Sequence, residues 1–335
     1  MRILITGGAG YIGSTIASAC EDAGHEVVIL DDLSAGARAF TTGRAFYEGD
    51  IADGALLEKV FADHPGIDAV VHCAAAIVVP ESVAEPLRYY DNNVGKTVRL
   101  VAHLQRLGCT RLVFSSSASI YVAGDDLTVD ESATVAPSSP YATTKAMVET
   151  ILRDVCATGT FSAISLRYFN PVGADPQLRT GLQTARPTHA LGKLIEAYEN
   201  GVPFTITGTD WPTRDGSAIR DYIHVWDLAR AHVAALERFD DVVSAAGSSY
   251  EVINVGTGDG TTVRELVAAF EAATGGHVEV VEGPSRPGDV IGCYSLTGRA
   301  TRELGWRAEL SIEQAIKDAL AWAQRREAVL AGRPV

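Results

Sequence analysis

The sequence predicts an α/β protein: a doubly wound parallel sheet followed by a smaller C-terminal α/β lobe. Three observations predict it. Short apolar runs alternate with amphipathic segments from Arg2 to Arg167. A glycine-rich turn, Gly7-Gly8-Ala9-Gly10-Tyr11-Ile12-Gly13, follows the first apolar run directly. Beyond Gly173 the alternation gives way to a polar stretch, Ala174 to Pro187, and then to helices with isolated short strands.

Arg2–Thr6 is apolar on consecutive residues, as a strand covered on both faces must be. The spacing then predicts a helix over Tyr11–Ala23 and strands over Glu26–Leu30 and Ala45–Glu48. A helix over Ala55–Ala62, a strand over Ala69–Cys73 and a long helix over Pro86–Leu107 follow. Arg111–Ser115, Tyr141–Ala157 and Ser162–Arg167 complete the lobe as strand, helix and strand. Strands separated by helices are βαβ units, which build a parallel sheet. Phe204–Thr207 and Glu251–Val255 read as isolated strands of the second lobe, with Ile223–Phe239 and Glu251–Val255 able to return to the first. The division expected is 1–175 for the sheet lobe and 176–335 for the other.

A chain of 335 residues is long for a single core, so two lobes sharing a cleft are expected. The net charge of −14 argues against a nucleic-acid partner, and an anionic ligand would need locally placed arginines. No run approaches the ~20 apolar residues of a membrane span. The first strand begins at Arg2, which leaves no room for a signal peptide. Five scattered cysteines without CxxC spacing fit reduced thiols in a cytoplasmic protein better than disulfides or zinc.

Gly7, Gly10 and Gly13 stand at the end of a strand and the start of a helix. Glycines there allow a tight turn and close approach of the backbone to a pyrophosphate, which sits at the helix N-terminus. The second strand ends in Asp31-Asp32, about 20 residues on, where a carboxylate binds the adenosine ribose. The combination identifies a Rossmann-type dinucleotide site. A carboxylate repels a 2′-phosphate, and no basic residue precedes Arg38, so NAD is expected over NADP. Asp50, closing the third strand, is placed to accept from the adenine amino group; a plain turn carboxylate is the alternative.

Tyr141 and Lys145 are four apart on a predicted helix and share one face. Ser115-Ser116-Ser117 ends the preceding strand, on the sheet edge where doubly wound proteins bind ligands. A free phenol, with a pKa of ~10, is too weakly acidic to act as a base at neutral pH. A lysine ammonium ~4 Å away contributes about 4 kcal/mol at an effective dielectric of 20, before solvent screening. Tyr141 is thus expected to accept a hydroxyl proton as hydride leaves the same carbon, with Ser117 holding that hydroxyl.

At these residues the chain resembles the extended short-chain dehydrogenase/reductase family, and within it the UDP-hexose 4-epimerases. The glycine turn, Tyr89-Tyr90-Asp91-Asn92-Asn93-Val94, Phe114-Ser115-Ser116-Ser117-Ala118 and Leu166-Arg167-Tyr168-Phe169-Asn170-Pro171 carry the likeness. Gly208 to Gly216, Arg220-Asp221-Tyr222-Ile223-His224-Val225 and Arg286-Pro287-Gly288-Asp289 extend it over nearly the whole chain. The resemblance implies that Tyr11, Ile12, Ile51, Cys73, Ala74, Asn92, Ser115, Tyr168 and Pro171 touch NAD, beside the residues named above. It implies that Asn170, His189, Arg220, Tyr222, Arg286 and Asp289 hold the UDP-sugar, an arginine fork suiting a diphosphate. It further implies interconversion of UDP-glucose and UDP-galactose, and a homodimer.

Three departures stand out. Ile77 replaces a lysine of well-known relatives, Leu296 an aspartate, and His189 an asparagine near the diphosphate, where a histidine brings pH dependence. Dehydratases of the family carry an acidic pair where this chain has Ala118 and Ser119, so water loss is disfavoured. The alternatives are a UDP-uronate 4-epimerase and an inactive NAD-binding scaffold, which typically loses the tyrosine or lysine. Cys293 matches a gate position that is a bulky tyrosine in relatives excluding N-acetylated sugars, so UDP-GlcNAc and UDP-GalNAc are expected substrates too. The alternatives there are a buried small residue, and Tyr294 swinging in as the gate.

Overall fold

A computed structural model describes every residue except 185, 186, 188, 246, 286–289, 334 and 335. Seven strands form one sheet: β1 (Arg2–Thr6), β2 (Glu26–Asp31), β3 (Ala45–Glu48), β4 (Ala69–His72), β5 (Arg111–Ser115), β6 (Ser162–Tyr168) and β7 (Tyr250–Val255). The spatial order is β3-β2-β1-β4-β5-β6-β7 and every pairing is parallel. The order reverses between β1 and β4, and ligands of such sheets bind at that switch point, beyond the carboxyl ends of the strands.

Alternation along the strands builds the two covering layers. Ile3, Ile5, Val27, Ile29, Val71, Val113 and Ile164 face helices Tyr11–Asp22 and Val225–Glu237. Leu4, Val28, Leu30, Val70, Leu112 and Ala163 face helices Gly54–Asp63, Lys96–Arg106 and Pro140–Cys156. Both sets are buried, which is why the strands read as continuous apolar runs. A third core gathers Leu191, Leu194, Phe204, Ile206, Leu266, Phe270 and Ile316 around the parallel pair Phe204–Thr207 and Val280–Gly283.

Two expectations are corrected here. The long helix over Pro86–Leu107 is broken: Pro86–Tyr89 and Lys96–Arg106 are α-helical, and Tyr90–Gly95 between them is a wide π-turn. The extra residue in that turn is accommodated by the Asn93 side chain. It accepts from Ala76 N at 2.8 Å and donates to Ala76 O at 2.9 Å and Thr144 Oγ1 at 3.1 Å. The strand near Glu251 is not isolated but returns to the first lobe, the alternative the sequence left open; it is β7, paired residue for residue with β6. Helix Val225–Glu237 likewise packs against the first helix, so the chain returns to the sheet lobe after leaving it.

Candidate active site

The turn after β1 leaves no room for side chains. A Cβ on Gly7, whose φ is +73°, would lie 2.6 Å from Ala74 N, and one on Gly13 would lie 2.2 Å from Gly7 O. Gly10 caps the helix at Tyr11 without any side-chain bond, so the first helical amides point outward, a seat for a pyrophosphate. Asp31 is buried at the end of β2; its Oδ2 accepts from Ala9 N at 2.9 Å and its Oδ1 from Leu33 N at 2.8 Å. Each oxygen keeps a lone pair for a ribose hydroxyl. Burial raises the Asp31 pKa and the two backbone donors oppose it. Asp32 is turned into its own loop, accepting from Ser34 N at 2.9 Å. Asp50 is ion-paired to Lys96 at 2.7 Å beside buried Ile51. The cradle fits a dinucleotide: glycines where it must approach, a carboxylate where its ribose would lie.

Across the switch point, Cys73 Sγ lies 3.2 Å from Ser115 Oγ, which in turn lies 3.1 Å from His232 Nε2. His232 Nδ1 faces Leu228 O at 2.9 Å, so Nδ1 carries the proton and Nε2 accepts from Ser115. Burial holds His232 neutral, at about 4. Tyr168 also reaches Ser115. Asn92 donates to Asn93 Oδ1 at 3.1 Å, behind the loop that leads from Ala74. Neither His232 nor Asn93 was visible as functional in the sequence; the only signal for Asn93 was its place beside Asn92.

Ser117 lies close enough to Tyr141 to pull the phenol's pKa down. Ser117 Oγ also donates to Ser119 Oγ at 2.9 Å. Lys145 differs from expectation. Its Nζ donates to the Ser115 carbonyl at 2.7 Å and lies 6.0 Å from the Tyr141 ring centroid. Burial lowers Lys145 to about 8 and raises the Tyr141 pKa, with only Ser117 pulling it down. The protein's own groups therefore hold the phenol protonated, and the lysine's charge does not overcome the desolvation of the ring.

In the second lobe, Arg220 donates to Ile219 O at 2.6 Å, Ile291 O at 3.0 Å and Val290 O at 3.1 Å, so its fork lies against the segment that follows Arg286–Asp289. Arg286 and Asp289 themselves are outside the described residues. Asn170 is exposed, and Pro171 pairs with Ile223. Tyr222 is packed in the lobe's core rather than presented on a surface. Cys293 is partly buried against the cluster of Ala118, Ile120, Tyr121, Val129 and Phe169, which begins one residue after Ser117. His189 Nδ1 accepts from Gly192 N at 3.1 Å as a helix cap, and desolvation lowers it to about 4. It is neutral from about pH 5 upward, so the pH-dependent role expected of it does not arise near neutrality.

The family model for the NAD dependent epimerase/dehydratase family matches residues 3–256. The chain is 41% identical to UDP-glucose 4-epimerase of Azospirillum brasilense over 97% of its length and 93% of the relative's. It superposes with a TM-score of 0.92 on UDP-glucose-4-epimerase from Stenotrophomonas maltophila with bound NAD and formylated UDP-arabinopyranose, at 37% identity over 98% and 99% of the two chains. The UDP-Glc/GlcNAc 4-epimerase from Campylobacter jejuni superposes at 0.81, with 34% identity over 97% and 99%.

The Gly13 contact makes a direct test. Gly13→Ala is expected to weaken NAD binding by about tenfold or more while leaving the far-UV circular dichroism unchanged, because the added methyl lands on Gly7 O inside the turn. Titration calorimetry with NAD reads this, and wild-type affinity in the variant would remove the turn from the binding site.

Proposed function

Because this chain belongs to the NAD dependent epimerase/dehydratase family, we propose that it interconverts UDP-glucose and UDP-galactose by transient oxidation at C4. The observation that carries the reading is the Ser117–Tyr141 pair. It sits at the carboxyl edge of the sheet beside the dinucleotide cradle, with Ala118 and Ser119 in place of acids. NAD, when bound, supplies a hydride acceptor at C4, returns the hydride, and adds positive charge beside the phenol. Gly7, Gly10, Gly13 and Asp31 would hold its adenosine diphosphate half; Cys73, Ala74, Asn92, Ser115 and Tyr168 line the side toward Tyr141. Ser117 orients the sugar hydroxyl. Tyr141 accepts that hydroxyl's proton and later gives it back. Arg220, with Arg286, Asp289 and Asn170, grips UDP. The hexose meets few fixed partners and is free to present its other face.

Tyr141→Phe is expected to lower kcat by about 10²–10⁴-fold with UDP affinity nearly unchanged, since only the proton transfer is lost. Turnover of UDP-galactose above a tenth of wild type would remove Tyr141 as the base.

The substrate range extends to N-acetylated sugars. Cys293 is small and packs against the cluster that contains Ala118 and Phe169, whereas the Tyr294 ring lies beside Gly260 and Ile219. Similarity to an enzyme described as acting on both UDP-Glc and UDP-GlcNAc supports the reading. Cys293→Tyr is expected to reduce turnover of UDP-N-acetylglucosamine by ~10–200-fold relative to UDP-glucose, the range for overfilling a packed pocket. Wild-type enzyme that epimerises UDP-galactose yet leaves UDP-N-acetylgalactosamine untouched overturns the gate.

The assembly is a homodimer formed by a second copy of this chain. Val83, Leu87, Val98 and Met147 are exposed apolar side chains on helices that pack on one another around Pro140–Cys156. All five cysteines are free thiols, which supports a reducing, cytoplasmic setting. No helix among the described residues is long and apolar enough to cross a membrane. Sedimentation should give a dimer for the wild type and a monomer for Val98→Glu/Met147→Glu; a wild-type monomer at micromolar concentration overturns the assembly.

A further inference from the structure

The helix face that carries Tyr141 and Lys145 continues one turn further, to Glu149. Glu149 is 6% exposed, and its carboxylate accepts from the Ser116 hydroxyl at 2.5 Å. It also accepts from Arg167 Nε at 2.9 Å and Nη2 at 2.5 Å, and Arg167 is equally buried on β6, one residue before Tyr168. Arg167 passes the network on to the Tyr121 hydroxyl at 2.7 Å, which donates to Asn254 on β7, also at 2.7 Å. Two successive turns of the helix therefore hold two of three successive serines, Lys145 the Ser115 carbonyl and Glu149 the Ser116 hydroxyl, and the turn before them carries Tyr141 beside the third, Ser117.

We infer that Glu149 is a positioning residue of the epimerisation: it fixes the serine segment from the third turn and supplies the negative charge that keeps Lys145 cationic. The inference rests on the C4 epimerisation proposed above.

The groups around Lys145 leave that charge to Glu149. Tyr141 and Glu149 share its helix; His72 and Cys73 face it from the end of β4, Phe114 and Ser115 from β5, and Tyr168 lies beyond Ser115 on β6. Burial holds His72 neutral, at about 3, and keeps Cys73 a thiol, at about 11. Glu149 is the carboxylate among them, and burial lowers Lys145 to about 8 with Cys73 and then Glu149 opposing it. Arg167 from β6, Tyr121 and Tyr250 from β7 face Glu149 itself. Removing the carboxylate charge leaves the Arg167 cation uncompensated near Lys145, so the lysine loses its proton at lower pH. A cationic Lys145 donates to the Ser115 carbonyl more strongly than the neutral amine would, and so holds it more firmly beside the working phenol. The limb of the pH profile that moves is therefore the alkaline one, and it moves toward acid.

Two variants separate the two roles. Glu149→Gln is expected to lower kcat for UDP-galactose by about tenfold with KM within about twofold, and to shift the alkaline limb of the kcat profile down by about half a pH unit or more. Ser116→Ala keeps the charge and removes only the serine link; kcat is expected to fall about threefold with the alkaline limb in place. Ser116→Ala deletes one small hydroxyl and keeps the test available should Glu149→Gln fold poorly. A Ser116→Ala kcat equal to wild type overturns the positioning role. A Glu149→Gln profile with an unmoved alkaline limb overturns the electrostatic one, whatever the fall in rate. Wild-type protein inactive on the whole UDP-sugar panel is a different result: it overturns the proposed function, whereas an active wild type with indistinguishable variants overturns only the role of Glu149.

Discussion

The contact on which the site depends is the 2.7 Å bond from the Lys145 ammonium to the Ser115 carbonyl. It joins the helix that carries the phenol to the strand end that carries the serines, across the edge of the sheet. Around that carbonyl, Ser115 Oγ is shared with Cys73 and His232, and Ser116 N donates to Leu166 O at 2.9 Å. Three strands and two helices thus meet around one residue. A buried ammonium is costly to desolvate, which is why its pKa falls, and the bond offsets part of that cost only when the carbonyl is held in place. The position of Tyr141 follows from the lysine's, because both lie on one rigid helix.

The second lobe has its own fixed point in Asp221. This carboxylate is fully buried, with no cation on it among the described residues. Its partners are Thr257 N at 2.8 Å, Thr257 Oγ1 at 2.7 Å, Gly258 N at 3.3 Å, Ser295 N at 3.1 Å and Ser295 Oγ at 2.7 Å. A buried carboxylate is stable only when donors saturate it, and these do. A Cβ on Gly256 would lie 2.4 Å from Asp221 Oδ2, so the donors approach only because that residue is glycine. The result is that the two short strands flanking Asp221, which carry Arg220 and Tyr222, are tied to the segment carrying Cys293.

Much of this was legible in the sequence because its signals are local. β1, β3 and β5 match their expected bounds, since consecutive apolar residues between turns have one reading. The glycine spacing placed the cradle, and i, i+4 spacing placed Tyr141 and Lys145 on one face. What was not legible depends on residues far apart in the chain. β7 pairs with β6 across more than 80 positions, which no local pattern encodes. Asn93 breaks its helix through bonds to Ala76 and Thr144, on two other segments. The Tyr141 pKa depends on how completely the ring is desolvated, and sequence spacing carries the charges but not the burial. Tyr222 lies in a motif that reads as binding, yet its ring fills a core.

Which residue packs toward the cluster of Ala118 and Phe169 follows from register. Side chains alternate along an extended segment, so a slip of one position would exchange Cys293 for Tyr294 and set a ring against that cluster. Tyr294 N donates to Leu127 O at 3.0 Å and Leu296 N to Val129 O at 2.9 Å, which sets the register on one side. Asp221 sets it on the other, gripping Ser295 through both its amide and its hydroxyl. Gly292 completes the constraint: its φ of +97° and the approach of Ile219 O, 1.9 Å from where a Cβ would stand, turn the chain into that register. The side on which Cys293 stands is therefore decided by a carboxylate and two edge carbonyls remote from it in sequence, and by the glycine set beside it.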